Sequence, residues 1–343
     1  MGVDLADIIP EQTITLDSLS NKTLAVDAYN TLYQFLAIIR QPDGTPLKDK
    51  SGRVTSHLSG LLYRASNLME KGIRLAFVFD GKPPELKEME IRRRRKIKEE
   101  ATIRYDEALR KGKLEEARIY AQATSSLKQM MINDSKTLLD ALGIAWIQAP
   151  SEGEAQAAFM ASKGDVWAVA SQDHDSLLFG APRMIKNLAI TGRRKLPRRS
   201  TYIEVEPKLV DLAMVLEELS LTREQLIDAG ILIGTDFNPD GVKGIGPKTA
   251  VKLLHEHGNL ENVSASNPEA SIPGVPEIRN IFLKPEVTKS YSLKWLEPDA
   301  EKVVSFLCRE RDFSEDRVRK ALAKIISAKN QPTSKGTLDS YFG

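Results

Sequence analysis

Four short runs stand out from the polar chain as continuous apolar, β-rich segments: TLAVD (23–27), RLAFVFD (74–80), IAWIQ (144–148) and VWAVA (166–170). Such runs are the mark of strands covered on both faces. Between the first two, Leu58, Leu61, Leu62, Ala65, Leu68 and Met69 recur at helical spacing, which predicts a helix capped by Thr55 and running to Lys71. Residues 86–142 contain no proline and predict long charged helices with a break at Lys111-Gly112. Beyond Leu221 the pattern is mainly helical, with Gly/Pro breaks near 238–247 and 268–276. The final stretch, NQPTSKGTLDSYFG, has no core pattern and reads as a flexible tail. No internal repeat is visible. Strands alternating with helices predict an α/β fold: a central, mostly parallel sheet flanked by helices and joined by right-handed crossovers.

Composition narrows the class. The chain has 343 residues, 41% apolar and 28% charged, which suits a sizeable core and excludes a disordered, collagenous or small disulfide-stapled protein. Cys308 is the one cysteine, so an internal disulfide is impossible and a reducing, intracellular home is expected. No apolar run approaches the ~20 residues that span a bilayer. The start, MGVDLADIIP, lacks the basic segment of a signal peptide, and Ala6 stands where a myristoylation motif needs Ser or Thr.

The formal net charge of +2 conceals strong segregation. Lys87, Arg92, Arg93, Arg94, Arg95, Lys96 and Lys98 crowd one stretch, and Arg183, Lys186, Arg193, Arg194, Lys195, Arg198 and Arg199 another that has no acid. A charged run is often only a solvated helix face. Two in a nearly neutral chain point to an anionic partner, and a phosphate backbone repays such crowding by counterion release.

Acids mark where the chemistry would sit. In an open parallel sheet, ligands gather beyond the carboxyl ends of the strands, and three apolar runs lead straight into acid: Asp27, Asp80, and the pair Asp173 and Asp175. SEGEAQAAF adds Glu152 and Glu154. Ser151 and Glu154 match a capping box, which gives Glu154 a structural reading and leaves Glu152 without one. Asp236 follows the apolar stretch AGILIGTD. Carboxylates converging to ~4 Å repel by about 4 kcal/mol per pair at an effective dielectric near 20, so such a cluster needs cations. Oxygen donors alone suit Mg²⁺ or Mn²⁺ rather than zinc. The histidines (His57, His174, His255, His257) show no zinc-site spacing and read as incidental. Basic runs beside an acid cluster describe a metal-dependent phosphodiesterase.

One turn adds a phosphate-binding candidate. KGIGPKTA (243–250) joins two helical patterns, 222–233 and 247–257. Gly244 and Gly246 permit close backbone approach, Pro247 suits a first helical position, and Lys248 falls in the opening turn, where helix amides bind phosphate. A plain helix connector is the alternative, and the Walker A pattern is absent.

Taken together, the strings VDAYNTLYQFL, TSHLSGLLYR, FVFDGKPPELK, QAPSEGEAQAA, SQDHDSLLFGAPR, GTDFNPDGVKGIGPKTA and LCRERDFSEDRV resemble the flap endonuclease family in its archaeal and eukaryotic branch, over nearly the whole chain. The resemblance implies a PIN-like nuclease core carrying a helical arch (81–131) and a helix–two-turn–helix that grips duplex DNA (222–258). It divides the chain into core parts 1–98 and 116–258, a C-terminal helical part 259–330 of the same unit, and the tail 331–343. The activity implied is cutting of a 5′ flap at its junction with duplex, with 5′–3′ exonuclease activity, leaving a ligatable nick in lagging-strand maturation and base-excision repair.

By position, the resemblance makes Asp27, Asp80, Glu152, Glu154, Asp173, Asp175 and Asp236 the acids of a site for two Mg²⁺, with Mn²⁺ as a substitute. Lys87 and Arg94 match the basic pair facing the scissile phosphate. Tyr33 matches the aromatic stacking near the scissile nucleotide, although Leu32, Phe35 and Leu36 around it also suit a core helix. Arg40 and Arg64 match duplex contacts. Gly234, Gly244, Gly246 and Lys248 belong to the duplex grip, often with a bound K⁺, and Gly2 to an N-terminus near the active site. In the tail, Lys335, Leu338, Tyr341 and Phe342 fit the sliding-clamp motif with Lys in place of Gln. A monomer working on branched DNA inside the cell is expected. The competing readings are a 5′ exonuclease, bubble-cutting nuclease or resolvase of related type, a ribonuclease, and a non-catalytic scaffold that binds DNA and clamp.

Overall fold

The computed structural model describes residues 2–41, 43–124, 127–190, 192–195 and 202–330. Its strands are β1 (Gln12–Thr13), β2 (Thr23–Asp27), β3 (Arg74–Phe79), β4 (Ala145–Gln148), β5 (Ala168–Ala170), β6 (Arg183–Lys186), β7 (Gly192–Lys195), β8 (Tyr202–Val205) and β9 (Lys208–Asp211). Seven of them form one sheet in the order β1-β9-β6-β5-β2-β3-β4, and β7 pairs with β8 in a separate hairpin. All pairings from β6 to β4 are parallel, while β9 pairs antiparallel with both β6 and β1 at one side. The sheet is therefore mostly parallel, as expected, and β2 to β5 are the four apolar runs.

Period-two alternation splits each central strand between two buried faces. Leu24, Val26, Leu75, Phe77 and Phe79 enter a core shared with the helices Ala28–Ile38, Ser56–Glu70, Gln129–Leu142 and Glu315–Asn330. Ala25, Ala76, Val78 and Ala145 enter the opposite core with Gly153–Ser162, Arg223–Ile233 and Val275–Leu283. The second face is built from small residues on both sides: Ala25 and Ala76 on the sheet meet a helix bearing Ala155, Ala157, Ala158 and Ala161. Lacking bulk, that helix lies close over the sheet and delivers its first turn to the strand ends. On the other face bulk locks the layers. Phe79 packs edge-on against Trp146 and Tyr29, with ring centroids 5.9 and 6.4 Å apart, and truncating such a buried ring costs about 3–5 kcal/mol.

The expected 55–71 helix is Ser56–Glu70, but the Thr55 side chain makes no capping bond. The charged region forms Glu88–Arg110 and Leu114–Ala123, parted at Lys111–Lys113 where Gly112 has φ 67°, followed by Gln129–Leu142. Arg223–Ile233 and Pro247–His257 flank the 234–246 turns. The basic stretch from 183 runs into β6 and on to the β7 hairpin strand. No helix of the described residues is long and apolar enough to cross a membrane.

Candidate functional site

Because β5, β2 and β3 are neighbours and parallel, their carboxyl ends lie side by side and everything just past them converges. Asp27 closes β2, Asp80 follows β3, and Asp173 and Asp175 come three and five residues after β5. Glu152 and Glu154 arrive with the first turn of Gly153–Ser162, and Asp236 with the turn after Arg223–Ile233. Carboxylate oxygens of Glu154, Asp173 and Asp175 all lie within 4.8 Å of one another. The other four belong to the same field: Asp27 acts on Asp80 and Glu154, Glu152 on Asp80, and Asp236 on both Asp173 and Asp175. All seven expected acids are thus in one cluster.

Each carboxylate is aimed by the chain around it. Asn30 N donates to Asp27 at 2.9 Å, and Gly153 N to Asp80 at 2.7 Å. The Ser171 hydroxyl donates to Glu154 at 2.9 Å and to Asp27 at 3.3 Å, and Ser176 to Glu154 at 3.2 Å. The capping-box reading of Ser151 and Glu154 is therefore wrong. Glu152 is the N-cap residue of that helix, without a capping side-chain bond, and Glu154 spends its carboxylate on two serines of the neighbouring turn. Gly2 N donates to Asp173 at 2.6 Å and Val3 N to Asp175 at 2.8 Å. A Cβ on Gly2 would fall 1.9 Å from Asp173 Oδ1, so only glycine lets the backbone come this close.

Crowding shows in the protonation behaviour. Burial first, and the neighbouring Asp27 and Glu152 charges next, push Asp80 up to about 7. Burial, with Asp173 adding to it, brings Asp27 to about 6. Burial and flanking carboxylates raise Glu154 and Asp175 well above their ordinary range and Asp173 upward as well. Two cations offset this. Burial would depress Lys87, but Glu152 and Asp236 outweigh it and hold the ammonium protonated far above its usual range. Lys87 Nζ pairs with Glu152, and with Asp236 at 3.1 Å. Arg94 is likewise raised against its burial by Asp236 and Glu90, with which it pairs. Lys87 ends a 3₁₀ turn, Glu85–Lys87, and Arg94 lies in the second turn of the helix that follows, so both cations reach the acids from the base of the charged helical hairpin.

The donor set fits a hard divalent cation. Among the described residues only carboxylates assemble into a metal-sized group, and such oxygens suit Mg²⁺ or Mn²⁺. His174, buried between Asp173 and Asp175, turns its ring away to Val3 O and Lys186. Burial, then the Lys186 charge, depresses it to about 4. It is not incidental, as the sequence suggested. His57 is fully buried, and burial lowers it to about 4 as well.

The expected DNA contacts fall into three sorts. Tyr33 is half-buried, and Lys98 of the Glu88–Arg110 helix lies over its ring. Arg40 and Arg64 are tied to the chain: Arg40 donates to Leu36 O at 2.9 Å and Gly44 O at 2.7 Å, and Arg64 Nε to Leu188 O at 2.8 Å. Gly234, Gly244, Gly246 and Lys248 lie in or beside the turns between Arg223–Ile233 and Pro247–His257. Gly234 and Gly244 have φ of 114° and 85°, and Lys248 is exposed. Gly246 is the N-cap of Pro247–His257 and offers no side chain to its first amides. Lys335, Leu338, Tyr341 and Phe342 lie outside the described residues. Ser171, Ser176, Glu90 and the Val3 amide were missed by sequence reasoning. A serine one residue past an apolar strand is a faint signal for the first, and nothing local announces the others.

Carboxylates massed past the ends of parallel strands, with Lys87 and Arg94 as counter-charges, are the chemistry of a PIN-like nuclease, a hydrolase of phosphodiesters. The comparisons carry this to a family. Residues 1–101 match the XPG N-terminal domain and 143–236 the XPG I-region. The chain is 56% identical over 332 residues to flap endonuclease 1 of Hyperthermus butylicus, covering 96% of this chain and 95% of that one. It is 58% identical over 325 residues to that of Methanothrix thermoacetophila, covering 95% and 96%. Among solved structures it resembles flap endonuclease-1 from Methanococcus jannaschii with a TM-score of 0.76 and 43% identity, covering 95% of this chain and 98% of that chain. The catalytic core of Rad2 in complex with DNA substrate gives a TM-score of 0.72 at 25% identity, with 95% and 100% covered. The chain belongs to the flap endonuclease family, and it is a structure-specific flap nuclease acting on DNA.

Proposed function

We propose that the protein hydrolyses the phosphodiester at the base of a 5′ flap, and that the seven carboxylates hold two Mg²⁺ ions, replaceable by Mn²⁺. The observation that carries this reading is the close trio of Glu154, Asp173 and Asp175, acids whose burial and mutual repulsion leave them short of positive charge. Asp27, Asp80, Glu152 and Asp236 complete the set. When bound, the metals neutralise the acids, activate water and polarise the phosphate. The chain's own cations do the rest: Lys87 and Arg94, once released from Glu152 and Asp236, meet the negative charge that grows on the phosphoryl oxygens. Water's oxygen adds to phosphorus, the P–O3′ bond breaks, and the 5′-phosphate and 3′-hydroxyl that result are ends a ligase can join.

Substrate choice is assigned to two elements. The helical hairpin 88–123 rises from the acid cluster and would receive the unpaired 5′ strand beside Tyr33. The 234–246 turns would hold the duplex. A Cβ added at Gly246, whose φ is −96°, meets nothing within 4 Å, so the chain itself does not require glycine there; a phosphate approaching the open helix amides does. Arg40 and Arg64, committed to carbonyls, serve better as supports of the duplex face than as direct contacts. The tail motif at Lys335, Leu338, Tyr341 and Phe342 would dock on a sliding clamp.

A labelled double-flap DNA incubated with Mg²⁺ and with EDTA tests the reading. Mg²⁺-dependent cutting at the 5′ junction, absent on plain single strands, is expected. Equal cutting in EDTA, or cutting without regard to structure, overturns it.

A further inference from the structure

The structure assigns His174 a role as positioning residue for the metal-binding acids: it fastens the Gly2–Val3 segment over Asp173 and Asp175. This rests on the metal reading above and goes beyond it by naming what aims two of the acids.

The hydrogen bonds around the ring have only one consistent direction. A lysine ammonium can only donate, so His174 Nε2, 3.1 Å from Lys186 Nζ, accepts. A carbonyl can only accept, so Nδ1, 3.3 Å from Val3 O, donates. His174 is therefore the neutral, Nδ1-protonated tautomer, set by its two partners. Lys186 is held in turn by Glu11, which also pairs with Lys208 at 2.6 Å. Lys186 and Lys208 are directly opposed across β6 and β9, and Glu11 between them allows two like charges to share that position.

The chain of contacts thus starts just before β1 and runs Glu11, Lys186 of β6, His174, Val3 carbonyl. It ends where the Gly2 and Val3 amides donate to Asp173 and Asp175. Each amide spends its hydrogen on one oxygen of a carboxylate, which fixes how that carboxylate is turned. Partners one step removed from a metal fix ligand orientation, and their loss typically costs 10–100-fold in metal affinity or activity. His174 stands between the two aspartates in sequence, yet it acts on them through the far end of the chain.

Three variants of the full chain decide this: His174→Leu, His174→Asn and Lys186→Met. Mn²⁺ affinity is read by electron paramagnetic resonance, beside steady-state cleavage of a flap DNA. His174→Leu should weaken Mn²⁺ about 10-fold or more and lower kcat with KM unchanged. His174→Asn, whose amide can still donate to Val3 O, should recover most of the loss. Asp175→Asn is the control. If it binds Mn²⁺ like the wild type, the metal reading itself fails; if it loses the metal while His174→Leu does not, only the present assignment falls. Should His174→Leu not fold, Lys186→Met must show a several-fold loss of Mn²⁺ affinity, and its absence refutes the chain of contacts. Independently, the ¹⁵N spectrum of the wild-type imidazole should show the Nδ1-protonated form at neutral pH, and an Nε2-protonated ring overturns the assignment.

Discussion

Lys98 covers the ring of Tyr33, its ammonium nitrogen 4.7 Å from the ring centroid and 3.3 Å from the phenolic oxygen. The pair ties the charged helix Glu88–Arg110 to Ala28–Ile38, the helix capped by Asp27 of the acid cluster. The face of Tyr33 proposed to meet a nucleotide is thus covered by a cation of the hairpin.

A cation–π contact of this kind is worth about 0.5–1 kcal/mol, or a factor of roughly 2–5 in an opening equilibrium. Lys98→Met is expected to raise amide exchange in the 88–110 helix by that factor without changing exchange in β2 or β3. Exchange that stays at the wild-type level shows that the hairpin is held elsewhere.

Asp175→Asn separates stability from function. Asparagine keeps an oxygen for the Val3 amide, which donates at 2.8 Å in the wild type, and removes one charge from the trio with Glu154 and Asp173. In EDTA the variant should be more stable than wild type by about 1–2 kcal/mol, the usual gain when a functional site is relaxed. Cleavage should drop by about a thousandfold or more while flap-DNA binding survives, since positioning contacts lie elsewhere. A destabilised variant in EDTA would mean that the carboxylates are not in conflict.

Much of this was legible in sequence because the signals were local. The strands β2 to β5 are continuous apolar runs, and the acids beyond their ends converge once those runs lie parallel. The strands on the β1 side escaped detection: β1 has two residues, and β6 and β9 mix lysine with apolar positions. Ser151 and Glu154 show how a local rule loses to tertiary context, since Ser171 and Ser176, distant in sequence, claim the carboxylate that the capping box would have used. His174 has no periodic or motif signal; its role exists only because the N-terminus folds back across the sheet ends.

The pH dependence of the metal-free chain follows from shifts of both signs. Asp80, at about 7 against an ordinary 3.8, and Asp27, at about 6, make the folded state hold more protons than the unfolded one up to neutral pH. Stability then falls as pH rises through that window. His57 and His174, lowered from 6.5 to about 4, act oppositely: the folded state holds fewer protons between those values, so stability rises with pH there. The two effects compete below about 6.5, and only the carboxylates remain above it. Melting temperature in EDTA should therefore fall from pH 6.5 to 8, whereas saturating Mg²⁺ should flatten or reverse the slope. Parallel curves with and without metal would contradict the cluster's electrostatics.

The tail prediction is independent of the core. Deleting 335–343 removes Lys335, Leu338, Tyr341 and Phe342 but none of the seven clustered acids. Intrinsic flap cleavage should be unchanged, and stimulation by a sliding clamp should vanish. Clamp capture that persists in a pull-down contradicts the motif assignment.

Lys87 carries the sharpest test, because its worth should depend on what else neutralises the acids. Its side chain is 15% exposed and pairs with Glu152 and Asp236. Removing one partner of a buried charge cluster costs on the order of 3 kcal/mol, so Lys87→Met should be strongly destabilised in EDTA. Mg²⁺ supplies the missing charge, and the penalty should shrink to less than half at saturating metal. Cleavage should not recover with it: kcat should stay down by roughly 10²–10³-fold, the loss expected when one transition-state charge partner is removed. A penalty that is the same with and without Mg²⁺ would show that Lys87 stabilises the fold independently of the metal site, and recovery of kcat with rising Mg²⁺ would remove it from the chemistry.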